Sequence, residues 1–272
     1  MIIAVCWFAE YVARAAEIQA PPHAVAGTEF SIPVNSNGTL YIFGPGTAIK
    51  KDVKSGDQLK LTLKQAGRFT AILNGSSTTF AVTPAAPGEL AFIARPSRVP
   101  ADRKGAISGT VFVFDAHKNL VLTPASVKFD LAVEGGSPQS HTMQTRNGVA
   151  YVKLDSGRKA GAAQFVASIG NISVRRVVQQ TAADPCNLRM HAQKVQDGVM
   201  VETDPIRDCA GNPVPDGTIV TFAAVDSSGR STIDARIKKG FAQATFPPLR
   251  DARLSVASGV VMGNEVNWGG GM

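Results

Sequence analysis

The sequence predicts an all-β chain of tandem β-sandwiches. Three observations carry the prediction: turn-forming residues recur between short apolar runs, the runs alternate at period two, and a segment of the chain repeats. Of 272 residues, 26 are Gly and 16 are Pro. They punctuate strand-like runs about every 8–12 residues, a spacing that suits antiparallel sandwiches rather than α/β units. Beyond the extreme N-terminus no long stretch places apolar residues at i, i+3, i+4 and i+7, as an amphipathic helix requires. A hydrophobic share of 44% against 18% charged supports packed cores and excludes wholesale disorder. At roughly 100 residues per domain the length allows two or three.

The first element is the segment Met1–Ala9, a short apolar core followed by Ala13-Arg14-Ala15, an A-x-A cleavage pattern. It reads either as a secretory signal over residues 1–16 that lacks its basic start, the start codon being misassigned, or as an ordinary N-terminal segment. The apolar run is too short to span a bilayer, and no transmembrane anchor is expected. Cleavage would remove Cys6 and leave Cys186 and Cys209, an even number suited to an oxidising compartment.

Next comes a small sandwich expected over residues 20–84. Its signals are Gly44-Pro45-Gly46, Ser55-Gly56-Asp57, Ala66-Gly67 and Asn74-Gly75 as turns, and Leu59-Lys-Leu-Thr-Leu63 as an alternating strand. Two stretches poor in large apolar side chains, residues 83–88 and 179–185, read as linkers. They set off two further modules, 88–180 and 184–268.

Those two modules repeat each other. Residues 115–129, DAHKNLVLTPASVKF, lie without a gap over residues 208–222, DCAGNPVPDGTIVTF. Asp115 falls on Asp208, Asn119 on Asn212, Val127 on Val220 and Phe129 on Phe222. Asn147-Gly148 then meets Lys239-Gly240, and Val166-Ala-Ser168 is expected over Val256-Ala-Ser258. In Val127–Val133, the apolar Val127, Phe129, Leu131 and Val133 share one face, and Lys128, Asp130 and Ala132 take the other. That is the pattern of a half-buried strand.

The pattern Asp197-Gly198, Asp208-x-x-Gly-Asn-Pro-Val-Pro215, Val220-Thr-Phe222, Gly240-Phe-Ala242 and Leu254-Ser-Val-Ala257 resembles a bacterial immunoglobulin-like domain of the invasin/intimin type (group 1). The resemblance covers about 180 residues, from Glu89 onward, and is closer in the third module than in the second. It implies tandem immunoglobulin-like β-sandwiches that serve as a rod segment or adhesive tip on a cell surface.

The polar residues are weighed against plain structural roles. Asp115, Asn119, Asp208 and Asn212 read as turn residues, because Asp and Asn accept backbone N–H bonds and Asn tolerates a left-handed conformation. A calcium loop would want several further carboxylates. Asp197-Gly198 reads as a two-residue hairpin turn, which sets Cys186 opposite Cys209 across two strands, within disulfide reach. The bridge is expected if the chain is exported, unless Pro205 forces a bulge and slips the register. His23, His117, His141 and His191 each stand alone, and no nucleophile elbow or phosphate loop accompanies them.

The net charge of +7 is spread over Arg95, Arg98, Arg103, Lys104, Arg175, Arg176, Lys238 and Lys239 without interleaved aromatics. That argues against specific nucleic-acid binding. The sequence thus points to a secreted or cell-envelope protein without catalytic residues, metal or cofactor. Its expected role is a spacer and binding surface for a protein or polysaccharide. The alternative is a carbohydrate- or cell-wall-polymer-binding module using Tyr41, Phe43 or Trp268. A hydrolase ranks below both.

Overall fold

A computed structural model of the chain describes residues 17–269; the candidate leader and Cys6 lie outside the described residues. Among those residues the regular structure is β-strand, with no helix, as the sequence predicts. The chain divides into two compact units. One holds the described residues up to Ala91 together with Phe112–Ala125 and Thr145–Val149. The other holds Phe92–Val111, Ser126–Gln144 and the described residues from Ala150 onward.

In the first unit lie β1 (His23–Val25), β2 (Glu29–Pro33), β3 (Gly38–Gly44), β4 (Thr47–Val53), β5 (Gln58–Thr62), β6 (Gly67–Leu73) and β7 (Ser76–Thr83). Five of them form a sheet in the order β1-β7-β6-β3-β4, and β2 pairs with β5 in a second sheet. Alternate residues meet in a core that includes Ile32, Leu40, Ile42, Phe69, Leu73 and Phe80. Leu59 and Leu63 are buried in it and Leu61 packs against it. Asn74 and Gly75 turn the chain between β6 and β7 with φ of 50° and 83°, the paired positive values of a hairpin turn.

There follow β8 (Glu89–Arg95), β9 (Arg98–Pro100), β10 (Ile107–Phe114), β11 (Ser126–Val133), β12 (Gln139–Gln144), β13 (Val149–Leu154), β14 (Gly161–Ile169) and β15 (Ile172–Thr181). Their sheets run β13-β10-β8 and β12-β11-β14-β15-β9. The second expected linker is shorter than its composition suggests, because Gln179–Thr181 belongs to β15 and Gln180 is buried. Within the second unit Phe92, Phe129 and Phe165 form a triangle with ring centroids 4.9, 6.0 and 6.1 Å apart. Val127, Phe129, Leu131 and Val133 are all buried.

The last strands are β16 (Met190–Val195), β17 (Gly198–Thr203), β18 (Ile219–Asp226), β19 (Gly229–Arg236), β20 (Gln243–Phe246), β21 (Ala252–Ser258) and β22 (Val261–Trp268). They form sheets β16-β17-β20 and β19-β18-β21-β22 over a core that includes Val201, Phe222, Phe246, Leu254 and Val256. Trp268 packs against this core.

The repeat survives in detail, with two corrections. Asn147-Gly148 and Lys239-Gly240 make the same turn, with φ of 49° and 78° in one and 54° and 87° in the other. In the closing strands, however, Phe129 pairs with Ala167 and Phe222 with Val256. Ala167, not Val166, therefore stands where Val256 stands. The shared Val-Ala-Ser string is off by one residue, which would turn each side chain to the wrong face.

The second correction concerns the hairpin before the corner. Val195 faces Gly198 and Met190 faces Thr203, so the turn is Gln196–Asp197 rather than Asp197–Gly198. Gly198 serves a different need: a Cβ there would lie 1.9 Å from the Phe246 carbonyl oxygen. The glycine is demanded by close backbone approach, not by the turn. The same register continues past Pro205, because Arg189 accepts from Asp204 N–H and Pro185 bridges to Asp208.

The aromatic triangle gives a direct test. Phe165→Ala should destabilise the second unit by about 3–5 kcal/mol, the cost of emptying a large core site. Tyr41→Ala, at a position that is 36% exposed, should change stability by about 0.5 kcal/mol or less. Chemical denaturation of the two variants reads the contrast, and equal effects would contradict the core assignment.

Candidate functional site

The residues singled out at the two corners build one arrangement twice. After β10, Asp115 N–H donates to Asn119 O at 2.9 Å and Lys118 N–H donates to Asp115 O at 3.1 Å. The Asp115 carboxylate fills this small loop. Its Oδ1 accepts from His117 N–H at 2.8 Å and from Asn119 N–H at 2.9 Å. Its Oδ2 accepts from the Asn119 side-chain amide at 2.9 Å.

The remaining bonds leave the loop. Asp115 Oδ2 also accepts from Ala85 N–H, in the segment after β7, at 2.9 Å. Asn119 Oδ1 accepts from Ala66 N–H at 2.8 Å, and Asn119 Nδ2 donates to Lys64 O at 2.8 Å. One amide side chain thus satisfies a carbonyl and an N–H of the loop that leads into β6. His117 adds contact, since a Cβ at Gly27 would stand 2.0 Å from His117 Nε2.

In the second unit every bond recurs. Asp208 Oδ1 accepts from Ala210 N–H at 2.9 Å and Asn212 N–H at 2.8 Å. Asp208 Oδ2 accepts from Asn212 Nδ2 at 2.9 Å and from Ala183 N–H at 3.0 Å. Asn212 Oδ1 accepts from Ala160 N–H at 2.8 Å, and its Nδ2 donates to Arg158 O at 2.7 Å. The third residue after the Asp needs a left-handed backbone in both corners: it is Lys118 at φ 68° and Gly211 at φ 89°.

The four residues are therefore clamps as well as turn residues. Reading them as turns missed their partners, yet a signal was present. Lys64-Gln-Ala-Gly67 and Arg158-Lys-Ala-Gly161 share a basic-x-Ala-Gly pattern, and each supplies the C=O and N–H that the Asn takes up.

Burial is nearly complete, with Asp115 at 0% and Asp208 at 4% exposure. Burial pushes both carboxyls up. The Asn side chain and three backbone N–H groups outweigh it and hold each below the usual 3.8. Hydrogen bonds to the charged form act in that direction.

The cysteines sit at the second corner. Cys186 and Cys209 form a disulfide with Cα atoms 4.9 Å apart. They are not a facing pair: Cys186 N–H donates to Arg207 O, so Arg207 faces Cys186. The turn beginning at Asp208 brings Cys209 back to reach it.

Solved structures with this architecture include an Escherichia coli adhesin, FdeC. It matches at a TM-score of 0.59 and 17% identity over 93% of this chain and 97% of that one. Invasin, a bacterial integrin-binding protein, matches at 0.51 and 14% over 91% of this chain and 56% of its own. Yersinia pseudotuberculosis InvD matches at 0.51 and 12% over 92% and 94%. The fold is the immunoglobulin-like β-sandwich that these solved structures share. No family model and no curated protein matches the sequence.

His191 Nε2 lies 3.6 Å from Glu202 and its Nδ1 3.9 Å from Asp204, with the His191 side chain 55% exposed. Among the described residues no three His, Cys, Asp or Glu are grouped to hold a metal ion. No helix there is long and apolar enough to cross a membrane. Tyr41 and Phe43 project outward from β3, their rings 6.2 Å apart and inclined by 3°, with Lys50 Nζ 5.9 Å from the Tyr41 ring.

Two predictions follow from the clamp. The folded-state pKa of Asp115 and Asp208 lies below the unfolded value of 3.8. Their contribution is therefore complete above that value and lost as pH falls through the folded pKa. Stability should hold down to about pH 4 and decline below it. Asp115→Asn with Asp208→Asn should lower stability at pH 7 and flatten that acid limb, as read by denaturation at a series of pH values.

Asn212→Ala leaves Arg158 O and Ala160 N–H without their partner and should cost about 1–3 kcal/mol. Asn212→Asp should cost more, because it sets a second carboxylate 2.9 Å from Asp208 Oδ2. That excess should vanish in acid as one carboxyl protonates.

Proposed function

We propose that this is a non-enzymatic, secreted or cell-envelope protein of structural or adhesive type. Three immunoglobulin-like sandwiches, over residues 20–84, 88–180 and 184–268, act as a spacer and as a binding surface for a protein or polysaccharide. The duplicated clamp is the observation that carries this reading. A corner that spends a buried carboxylate and an amide on the loop and linker before it is built to hold a joint, not to turn over a substrate. The likeness in fold to the FdeC adhesin and to the integrin-binding invasin supports the same reading.

A second reading rests on Tyr41 and Phe43. Two parallel, exposed rings beside a cation suit stacking on sugar rings, which would make the first sandwich a carbohydrate-binding module.

Single-patch affinity should be modest, so display of many copies should supply strength. Beads bearing many copies of the chain should bind cells or polysaccharide arrays, and the free monomer should bind weakly. Loss of array binding in Tyr41→Ala with Phe43→Ala, with stability unchanged, would select the carbohydrate reading. A chain that binds no surface at any density, yet hydrolyses an ester or glycoside in a manner abolished by His191→Ala, would overturn both.

A further inference from the structure

The two corners match bond for bond, which makes their differences informative. Gly88 N–H donates to Phe114 O at the first corner, and Cys186 N–H donates to Arg207 O at the second, both at 2.8 Å. Phe114 and Arg207 each immediately precede the clamp Asp. Gly88 lies three residues after Ala85, and Cys186 lies three after Ala183, the two linker residues that bond the carboxylate. Gly88 and Cys186 therefore hold the same place. Ala116 and Cys209 also hold the same place, one residue after the Asp. The contact is conserved too: a Cβ at Gly88 would lie 3.0 Å from Ala116 N and 3.3 Å from its Cα. The disulfide thus stands where the first corner has only a Gly–Ala contact.

We propose that the Cys186–Cys209 disulfide is a latch on the second joint. It fastens the linker exit to the corner, so that Ala183 stays on Asp208 when the hydrogen bonds of the clamp fluctuate open. The first joint has the same clamp without the latch and opens on its own hydrogen bonds alone. The proposal rests on the joint function of the clamp, not on what the protein binds.

The physical basis is the range of freedom left to the linker. Without the bridge, release of Ala183 lets residues 182–186 peel away from the corner. With it, Cys186 remains beside Cys209, and Ala183 is at most three residues from a fixed point. Reclosing is then a short-loop search, which costs little entropy. At the first joint the ion pair between Lys118 and Glu89 is exposed and worth little as a substitute.

Amide hydrogen exchange followed by NMR on the whole chain tests this joint by joint. In the oxidised protein Ala183 N–H should exchange roughly tenfold or more slowly than Ala85 N–H. Dithiothreitol supplies two electrons and two protons, breaks the S–S bond to give two thiols, and ends as its own cyclic disulfide. Ala183 should then speed up to resemble Ala85, while Phe222 and Leu254 in the adjacent core stay slow. Cys209→Ala, which installs the residue found at the first corner, should do the same.

The latch can also be transferred. Gly88→Cys with Ala116→Cys should oxidise to a second bridge, seen as a loss of two further hydrogens in the intact mass, and should slow Ala85. Unchanged exchange at Ala183 on reduction would overturn the proposal. Equal acceleration of Ala183, Phe222 and Leu254 would also overturn it, since the bridge would then stabilise the sandwich rather than the joint. A transferred bridge that forms without slowing Ala85 would refute the equivalence of the two positions.

Discussion

A buried carboxylate that must find four donors governs the architecture of the corners. Removing an ionised Asp from water costs many kcal/mol unless hydrogen bonds replace the lost solvation. Asp115 and Asp208 each collect two backbone N–H groups from their own loop, one side-chain amide and one linker N–H. The local donors alone would make a serviceable turn. The fourth donor lies in the linker, and the Asn that supplies the third spends its other two bonds on the loop before β6 or before β14. The corner is therefore satisfied only when segments distant in sequence have already been placed. A local motif has been made to report on non-local structure.

The strands were legible because their chemistry is periodic. Val127, Phe129, Leu131 and Val133 could be put on one face without knowing what covered it, and the repeat placed Phe222 beside them. The joint was harder to read because its partners are backbone groups, which carry no side-chain signature. Only the recurrence of Lys64-Gln-Ala-Gly and Arg158-Lys-Ala-Gly marks them, and that pattern gains meaning once Asn119 and Asn212 are seen to reach it. The two misplacements have a similar origin. Asp197-Gly198 looks like a turn dipeptide, but its glycine answers to the Phe246 carbonyl. Val-Ala-Ser recurs as a string in closing strands where pairing, not spelling, decides which face a residue takes.

The two corners solve the same backbone problem with different local chemistry. The left-handed third position falls to Gly211 at one corner, where it costs no steric strain. At the other it falls to Lys118, which gives up some stability there and gains an exposed contact with Glu89. His117 presses on Gly27 at the first corner, while Ala210 stands in its place at the second. What stays constant across the pair is the Asp, the Asn and the three outside backbone groups they bind. Constancy within one chain, against variation at every intervening position, separates the groups that make the joint from those that decorate it.

The same reasoning bears on the binding surface proposed above. Faces that obey the period-two rule are accounted for by folding: apolar inside, polar outside. Tyr41 and Phe43 are among the apolar side chains that break that rule, and they stand side by side on the outward face of β3 at 36% and 46% exposure. Their inward neighbours Leu40 and Ile42 already fill the core. Hydrophobic side chains on a solvated face add nothing to the core, and residues that violate the local pattern without a structural return concentrate at functional surfaces. Trp268 differs, because it lies against the core and is explained by packing. Asp115, Asn119, Asp208 and Asn212 are buried within the corners they hold. The outward aromatic pair lies outside the core, and the carbohydrate-binding reading proposed above rests on it.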